Sequence, residues 1–209
     1  EFRRVLFRSG IQLIKSTLIT LSTVAVLALS GCSSSGKACP HHEGTQTKES
    51  VTFKGTPMLL TGHLVSVGDE APQAIVVTKD LVEKTIGGIS DKTQIVVVVP
   101  SVDTPVCNLE TRTFNEKVAK LDNVDLTVVS MDLPFAAGRF CAAHGIDKVT
   151  VASDYRYNAV GYKYGVVIKE GLLAGILARA IFVIKDGKVI YKELVSEVTK
   201  EPNYDAVLD

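Results

Sequence analysis

The sequence has no tryptophan and only four cysteines in 209 residues. Cys32, Cys39, Cys107 and Cys141 are too few for a disulfide-dense scaffold and too scattered for a paired zinc motif. A Cys-x-x-Cys pair is also missing, which argues against a disulfide oxidoreductase. Basic and acidic residues number 23 each, so the chain lacks the overall basic charge that is typical of nucleic-acid-binding proteins.

Long hydrophobic runs are missing too. The apolar run over residues 18–29 has 12 residues, short of the ~20 that a helix needs to cross a bilayer. At 46% hydrophobic and 22% charged residues, the composition is that of a globular chain and excludes wholesale disorder and collagen-like repeats. The length allows one medium-sized domain with an appendage.

Residues 1–31 have the layout of a secretory signal segment, because basic residues precede the apolar run and Ser30-Gly31-Cys32 follows it. The stretch Leu29-Ser-Gly-Cys32 resembles the bacterial lipobox. That resemblance implies an exported protein of the cell envelope or periplasm, tethered to the membrane through lipidated Cys32. A plain signal peptide with a chance cysteine is the alternative. Residues 5–9 back-translate to a sequencing-adapter sequence, so we expect residues 1–9 not to be native.

Residues 32–50 are rich in serine, glycine, lysine and threonine and have no apolar periodicity, which is typical of a flexible tether. Cys39, His41 and His42 within it are side chains that suit zinc or copper. However, three donors within four residues do not easily face one ion, and no fourth ligand is evident. A solvated tether is therefore favoured over a metal site.

Residues 51–209 predict a single α/β domain, because β-branched runs alternate with amphipathic segments. The final hairpin is predicted around Asp186-Gly187, a pair that suits a type I′ turn, and makes the sheet mixed. The predicted elements are a hairpin over 51–61, strands over 74–78, 95–99, 124–131 and 149–152, helices over 105–121, 134–144 and 158–164, a closing hairpin over 180–191 and a helical start at Pro202.

Cys107 is the most informative residue, because it follows a buried strand and falls in the first turn of a predicted helix. Backbone N–H groups and the helix dipole there favour the thiolate, which is the nucleophilic form. Thr104 is placed to cap the helix and to offer its hydroxyl to a substrate, while Pro100 ends the strand and shields the thiolate. From position alone, a buried structural cysteine is equally compatible.

The spacing Pro-x-x-x-Thr-x-x-Cys over residues 100–107 resembles the peroxidatic motif of peroxiredoxins. Residues 50–209 as a whole resemble the thiol peroxidase subfamily, the atypical two-cysteine type. The likeness includes residues 55–61, 130–136, 139–141 and 177–180. It implies a thioredoxin-like fold with a mixed central sheet, flanking helices and an N-terminal β-hairpin, and it implies a homodimer.

The resemblance assigns a role to each matching residue. It implies that Cys107 is the peroxidatic cysteine, that Thr104 and Pro100 are its motif partners, and that Arg179 completes the pocket. A solvated loop arginine is the alternative for Arg179. Arg112, five residues after Cys107, also matches a basic family position, and its alternative is an ordinary charge on the helix surface.

The same resemblance implies that Cys141 is the resolving cysteine. Its predicted helix differs from that of Cys107, and two cysteines bond only when their Cα atoms come within ~7 Å. We therefore predict that both helix ends loosen during the cycle. A permanent structural disulfide is the alternative in an exported protein.

The implied reaction is the reduction of hydrogen peroxide and organic hydroperoxides through a sulfenic acid and an intramolecular disulfide. A thioredoxin-like donor would reset the disulfide. No metal, haem or flavin is required. The competing hypothesis is a non-enzymatic, exported binding module with a thioredoxin-like fold and an inert disulfide.

Overall fold

The computed structural model describes residues 46–208. The predicted signal segment, the lipobox residue Cys32, and Cys39, His41 and His42 lie outside these residues. Within the described range, no helix has the length and hydrophobicity needed to cross a membrane.

The described residues form ten strands and four helices. The β-hairpin at the start, the parallel strands in the middle and the hairpin at the end follow the predicted order. In chain order the elements are β1 (Gln46–Phe53), β2 (Thr56–Thr61), β3 (Ala74–Thr78), β4 (Glu83–Ile86), β5 (Thr93–Val98), α1 (Pro105–Val118), β6 (Val124–Ser130), α2 (Pro134–His144), β7 (Thr150–Ser153), α3 (Ala159–Lys163), β8 (Val167–Ile168), β9 (Ala180–Lys185), β10 (Lys188–Leu194) and α4 (Tyr204–Leu208).

Seven strands form the main sheet in the order β10-β9-β5-β6-β7-β3-β4. The neighbours β5, β6 and β7 are parallel, whereas the flanking pairs are antiparallel. The four residues from Ile95 to Val98 are all buried, because apolar clusters cover both faces of the sheet. Helices α1, α2 and α4 contribute to one cluster and α3 to the other. The predicted thioredoxin-like α/β fold with a mixed central sheet is confirmed.

Both hairpins turn on residues with positive φ. Asp186 and Gly187 have φ of 51° and 78°, as their predicted type I′ turn requires. In the N-terminal hairpin the turn lies at Lys54 and Gly55, one residue before the predicted Gly-Thr-Pro turn. Strand β1 begins at Gln46, five residues before the predicted start at Val51. This hairpin joins β8 in a separate three-stranded sheet.

The packing of α1 differs from the apolar periodicity of its sequence. Leu109, predicted to face the core, is 45% exposed, whereas Glu110 and Thr111 are buried. The ion pair between Glu110 and Arg179 accounts for this, since a buried arginine needs a charged partner. The sequence did not predict β4 and β8, because β4 is a polar edge strand and β8 has only two residues.

Candidate active site

Cys107 is the third residue of α1 and is completely buried. Its side chain reaches Arg179, whose Nη2 lies 3.3 Å from Cys107 Sγ. Its backbone oxygen accepts a hydrogen bond from the Thr111 hydroxyl at 2.8 Å. The thiol therefore combines the first turn of a helix with a guanidinium contact, and both features place positive potential at the sulfur.

Arg179 immediately precedes β9 and is only 1% exposed, so the alternative of a solvated loop arginine is wrong. Besides Cys107, its guanidinium contacts the Glu110 carboxylate through Nη1. Nε and Nη2 donate to the backbone oxygen of Val198 at 3.3 and 2.9 Å. Burial lowers the pKa of Arg179, but Glu110 and Cys107 outweigh burial and raise the pKa above its ordinary value. The cation is thus held in place from three sides.

Glu110 is a site residue that the sequence reasoning missed. Its side chain has no exposed surface, and one carboxylate oxygen, Oε1, has no hydrogen-bond partner among the described residues. Burial raises the pKa of Glu110 to about 7, while Arg179 acts in the opposite direction. The sequence does contain one sign of this role: Glu110 comes three residues after Cys107, a spacing that places both side chains on one helix face.

The loop before Cys107 is held by Asp132, which follows β6. Its carboxylate accepts hydrogen bonds from the Val102 backbone N–H and from the Ser101 and Ser130 hydroxyls, each at 2.8 Å. This contact links the loop after β5 to the end of the neighbouring parallel strand. The carboxyl ends of the two strands thereby fix the entry into α1.

Thr104 and Pro100 lie in this loop. Thr104 occupies the N-cap position of α1, but the predicted side-chain cap is wrong, because its hydroxyl donates instead to the backbone oxygen of Ser101 at 3.0 Å. This arrangement leaves Thr104 exposed near the helix start. Pro100 is buried and comes two residues after the end of β5.

Arg112 is exposed on α1. Five residues at 100° each place it about 140° around the helix from Cys107. Among the described residues, it has no hydrogen bond or ion pair with Cys107, Thr104 or Arg179. The structure therefore does not bring Arg112 into the site, and its geometry fits the alternative of a surface charge.

Cys141 lies on α2 in the same apolar cluster as Cys107 and is 6% exposed. Both thiols are free in this structure. Burial raises the pKa of the Cys141 thiol, and the nearby Lys79 partly opposes that effect. A cavity of about 290 Å³ opens beside it and is lined by Lys79, Asp80, Gly138, Cys141, Ala142 and Ile146.

Residues 66–208 match the model of the redoxin family. The chain belongs to the redoxin family. A thiol peroxidase of Aquifex aeolicus is 58% identical over 160 residues, which are 76% of this chain and 94% of that protein. A thiol peroxidase of Bacillus subtilis is 48% identical over 160 residues, again 76% of this chain and 94% of the relative.

A solved structure supports the same family membership. The crystal structure of a peroxiredoxin-like protein from Aquifex aeolicus matches with a TM-score of 0.75 and 57% identity, covering 79% of this chain and 96% of that one. The chain is therefore a thiol-dependent peroxidase of the peroxiredoxin type, and the non-enzymatic binding module is not favoured. No three His, Cys, Asp or Glu side chains within residues 46–208 cluster in a way that would hold a metal ion.

Proposed function

We propose that Cys107 is the peroxidatic nucleophile of this peroxidase and that Arg179 is its main electrostatic partner. The contact between Arg179 Nη2 and Cys107 Sγ at 3.3 Å carries this proposal. The thiolate attacks the distal peroxide oxygen, so that an S–O bond forms and the O–O bond breaks. Hydroxide or alkoxide leaves and takes up a proton from water, and Cys107 becomes a sulfenic acid.

The charge that develops on the leaving oxygen needs a stabilising group. Arg179 and the N–H groups at the start of α1 supply positive charge at that point. Ionised Glu110 competes with the thiolate for the same guanidinium. Thr104 would orient the peroxide after turning its hydroxyl away from Ser101, and buried Pro100 would keep water from the thiolate.

Cys141 is the proposed resolving cysteine. Its thiolate attacks the sulfur of the sulfenic acid, an S–S bond forms, and hydroxide leaves and is protonated to water. Because the two thiols lie on different helices, we propose that the start of α1 and the end of α2 both loosen in this step. The resulting disulfide protects Cys107 from further oxidation.

A thioredoxin-like dithiol protein is the proposed reductant, and hydrogen peroxide and organic hydroperoxides are the proposed substrates. Family membership supports both, since a disulfide formed in each cycle must be reduced by thiol exchange. A homodimer is proposed on the same ground. Sedimentation of the chain as a monomer at all concentrations would contradict the dimer.

Export and lipidation are proposed from the sequence pattern of residues 1–32. The basic residues, the 12-residue apolar run and the position of Cys32 support a membrane-tethered protein of the cell envelope. Expression of the full chain and of Cys32→Ala in a bacterial host, followed by membrane fractionation, tests this. A Cys32→Ala chain that stays in the membrane fraction would contradict lipidation.

A coupled assay tests the catalytic assignments. The full chain is mixed with hydrogen peroxide, thioredoxin, thioredoxin reductase and NADPH, and NADPH consumption is followed. We expect Cys107→Ser to abolish turnover, because the substituted hydroxyl is not a competent nucleophile at neutral pH. Cys141→Ser should still consume one equivalent of peroxide but should lose turnover.

Two results would contradict these roles. Turnover that survives Cys107→Ser would exclude Cys107 as the nucleophile. Unchanged turnover in Cys141→Ser would exclude Cys141 as the resolving residue. Circular dichroism of each variant serves as the folding control.

A further inference from the structure

Glu197, in the loop between β10 and α4, binds the tip of the N-terminal hairpin. Its Oε2 accepts hydrogen bonds from the Thr52 hydroxyl at 2.8 Å and the Gly55 N–H at 3.1 Å. Its Oε1 accepts from the Lys54 N–H at 3.0 Å and from the N–H and hydroxyl of Thr199 at 3.2 and 2.8 Å. Both oxygens of this one carboxylate are therefore occupied by donors.

The hairpin tip has the geometry of an anion site. Lys54 and Gly55 have φ of 50° and 79°, so their successive N–H groups converge on the carboxylate of Glu197. Hydrogen bonds from Thr199 and Thr52 lower the pKa of Glu197 to about 2, which keeps the carboxylate ionised. An ionised acceptor makes each of these hydrogen bonds stronger than a neutral one would.

Backbone hydrogen bonds extend the same contact to Val198. Thr52 N–H donates to the Ser196 oxygen at 2.7 Å, and Val198 N–H donates to the Thr52 oxygen at 2.9 Å. The Val198 side chain is buried in the apolar cluster of the hairpin sheet, which includes Val51 and Met58. The peptide that carries the Val198 carbonyl is thus fixed against β1.

The Val198 carbonyl is a hydrogen-bond acceptor for Arg179, the arginine that contacts Cys107. It accepts hydrogen bonds from Arg179 Nε at 3.3 Å and from Nη2 at 2.9 Å. Nη2 is the same nitrogen that contacts Cys107 Sγ. A shift of the Val198 carbonyl would therefore move the nitrogen that faces the thiol.

We propose that Glu197 is a positioning residue for peroxide reduction: by binding the hairpin tip it fixes the Val198 carbonyl, which directs Arg179 toward Cys107. The proposal rests on the peroxidase function of Cys107 and deepens it. It makes the N-terminal hairpin, which lies outside the main sheet, a structural support of the site. Glu197 itself touches neither Cys107 nor Arg179 in the described hydrogen-bond network.

The direct test is Glu197→Gln in the full chain. The amide has the size of the carboxylate, but its NH₂ group must face donors on one side, since both carboxylate oxygens accept hydrogen bonds. We expect the second-order rate constant for Cys107 oxidation by hydrogen peroxide to fall on the order of tenfold, because small displacements of a catalytic group cost large factors in rate. The rate of Cys107 alkylation at a fixed pH should fall in the same direction.

Two further variants calibrate this result. Thr52→Val removes one donor to Glu197 and should lower the rate constant in the same direction by a smaller factor. Glu116→Gln, at an exposed position of α1, is the matched control and should leave it unchanged. If Glu197→Gln does not fold, the rate constant of Thr52→Val is compared with that of Glu116→Gln, and an unchanged rate constant in Thr52→Val then contradicts the proposal.

A double-mutant cycle separates positioning from general stability. In an Arg179→Ala background, Glu197→Gln should cause no further loss of rate, since Glu197 acts through Arg179. The same rate factor in both backgrounds, or a wild-type rate in Glu197→Gln, would overturn the proposal. An inactive wild-type chain would instead contradict the peroxidase function itself.

Discussion

One guanidinium, that of Arg179, connects α1 with the segment after β10. It contacts Cys107 and Glu110 on α1 and the Val198 carbonyl near the carboxyl end. A buried cation with these partners stays charged, whereas an unpaired one would be costly to bury. The electrostatics of the thiol therefore depend on how Arg179 is shared among its partners.

The substitution Glu110→Gln tests how strongly Glu110 interacts with Arg179, through its effect on the free energy of unfolding. Because burial raises the pKa of Glu110 from 4.5 to about 7, its contribution to stability is fully present below pH 4.5 and is lost as pH rises through 7. Glutamine does not titrate. Between pH 5 and pH 8, the free energy of unfolding of the wild type should fall relative to the variant by on the order of 2 kcal/mol.

Urea denaturation of both chains at several pH values measures this difference. Glu116→Gln, at an exposed site on the same helix, gives the baseline for removing a carboxylate from α1. Parallel pH profiles for the wild type and Glu110→Gln would show that Glu110 is already ionised at pH 5.

For individual residues, the sequence predicts those site positions that belong to a short motif. The spacing of Pro100, Thr104 and Cys107 predicts the reactive loop, and the family resemblance implies that Arg179 belongs with it. Glu110 was missed because only apolar positions were used to orient α1, which wrongly placed Leu109 in the core. A carboxylate is stable in that position only with a partner that the fold brings from 69 residues away.

At the level of elements, α1 and α2 carry the two thiols and are joined at their reactive ends. Asn108 Nδ2, next to Cys107, lies 3.0 Å from His144 Nε2 in the last turn of α2. Gly145 then ends α2 in the left-handed conformation, with φ of 63°. The Asn108–His144 hydrogen bond must break if both helix ends loosen for the disulfide.

Asn108→Ala should therefore accelerate disulfide formation. Loss of one exposed hydrogen bond worth about 0.5 kcal/mol predicts a rate increase of about twofold. The measurement is the loss of free thiols, followed by alkylation and mass spectrometry after one equivalent of peroxide. Glu116→Ala is the control on the same helix, and an unchanged or slower rate in Asn108→Ala would contradict the role of this hydrogen bond.

The described residues combine a central sheet hydrogen-bonded on both sides with two helix ends that we predict to loosen during the cycle. Strands β5, β6 and β9 are hydrogen-bonded on both sides within the main sheet, and their side chains form much of both apolar clusters. Cys107 and Cys141 belong to one of these clusters, and we predict that forming a disulfide between them shifts both from their packed positions. Oxidation should therefore change local order without unfolding the sheet.

Amide hydrogen exchange of the reduced and oxidised chains tests this expectation. Exchange should increase over residues 101–110 and 139–146 after oxidation and should stay the same in β5, β6 and β9. Cys141→Ser treated with the same peroxide should retain the protection of the reduced chain. Equal protection of both helix ends before and after oxidation would rule out the loosening.

The sequence by itself determined the order of the helices and of the strands other than β4 and β8, the closing type I′ turn and the pair of candidate thiols, because local periodicity and short motifs encode these features. Tertiary structure alone decided the burial of Glu110, the redirected Thr104 hydroxyl and the separation of Arg112 from the site. It also decided the contact between Glu197 and Thr52, which are 145 residues apart. Such contacts depend on which surfaces the folded chain brings together. Local sequence patterns do not predict contacts between residues so far apart in the chain.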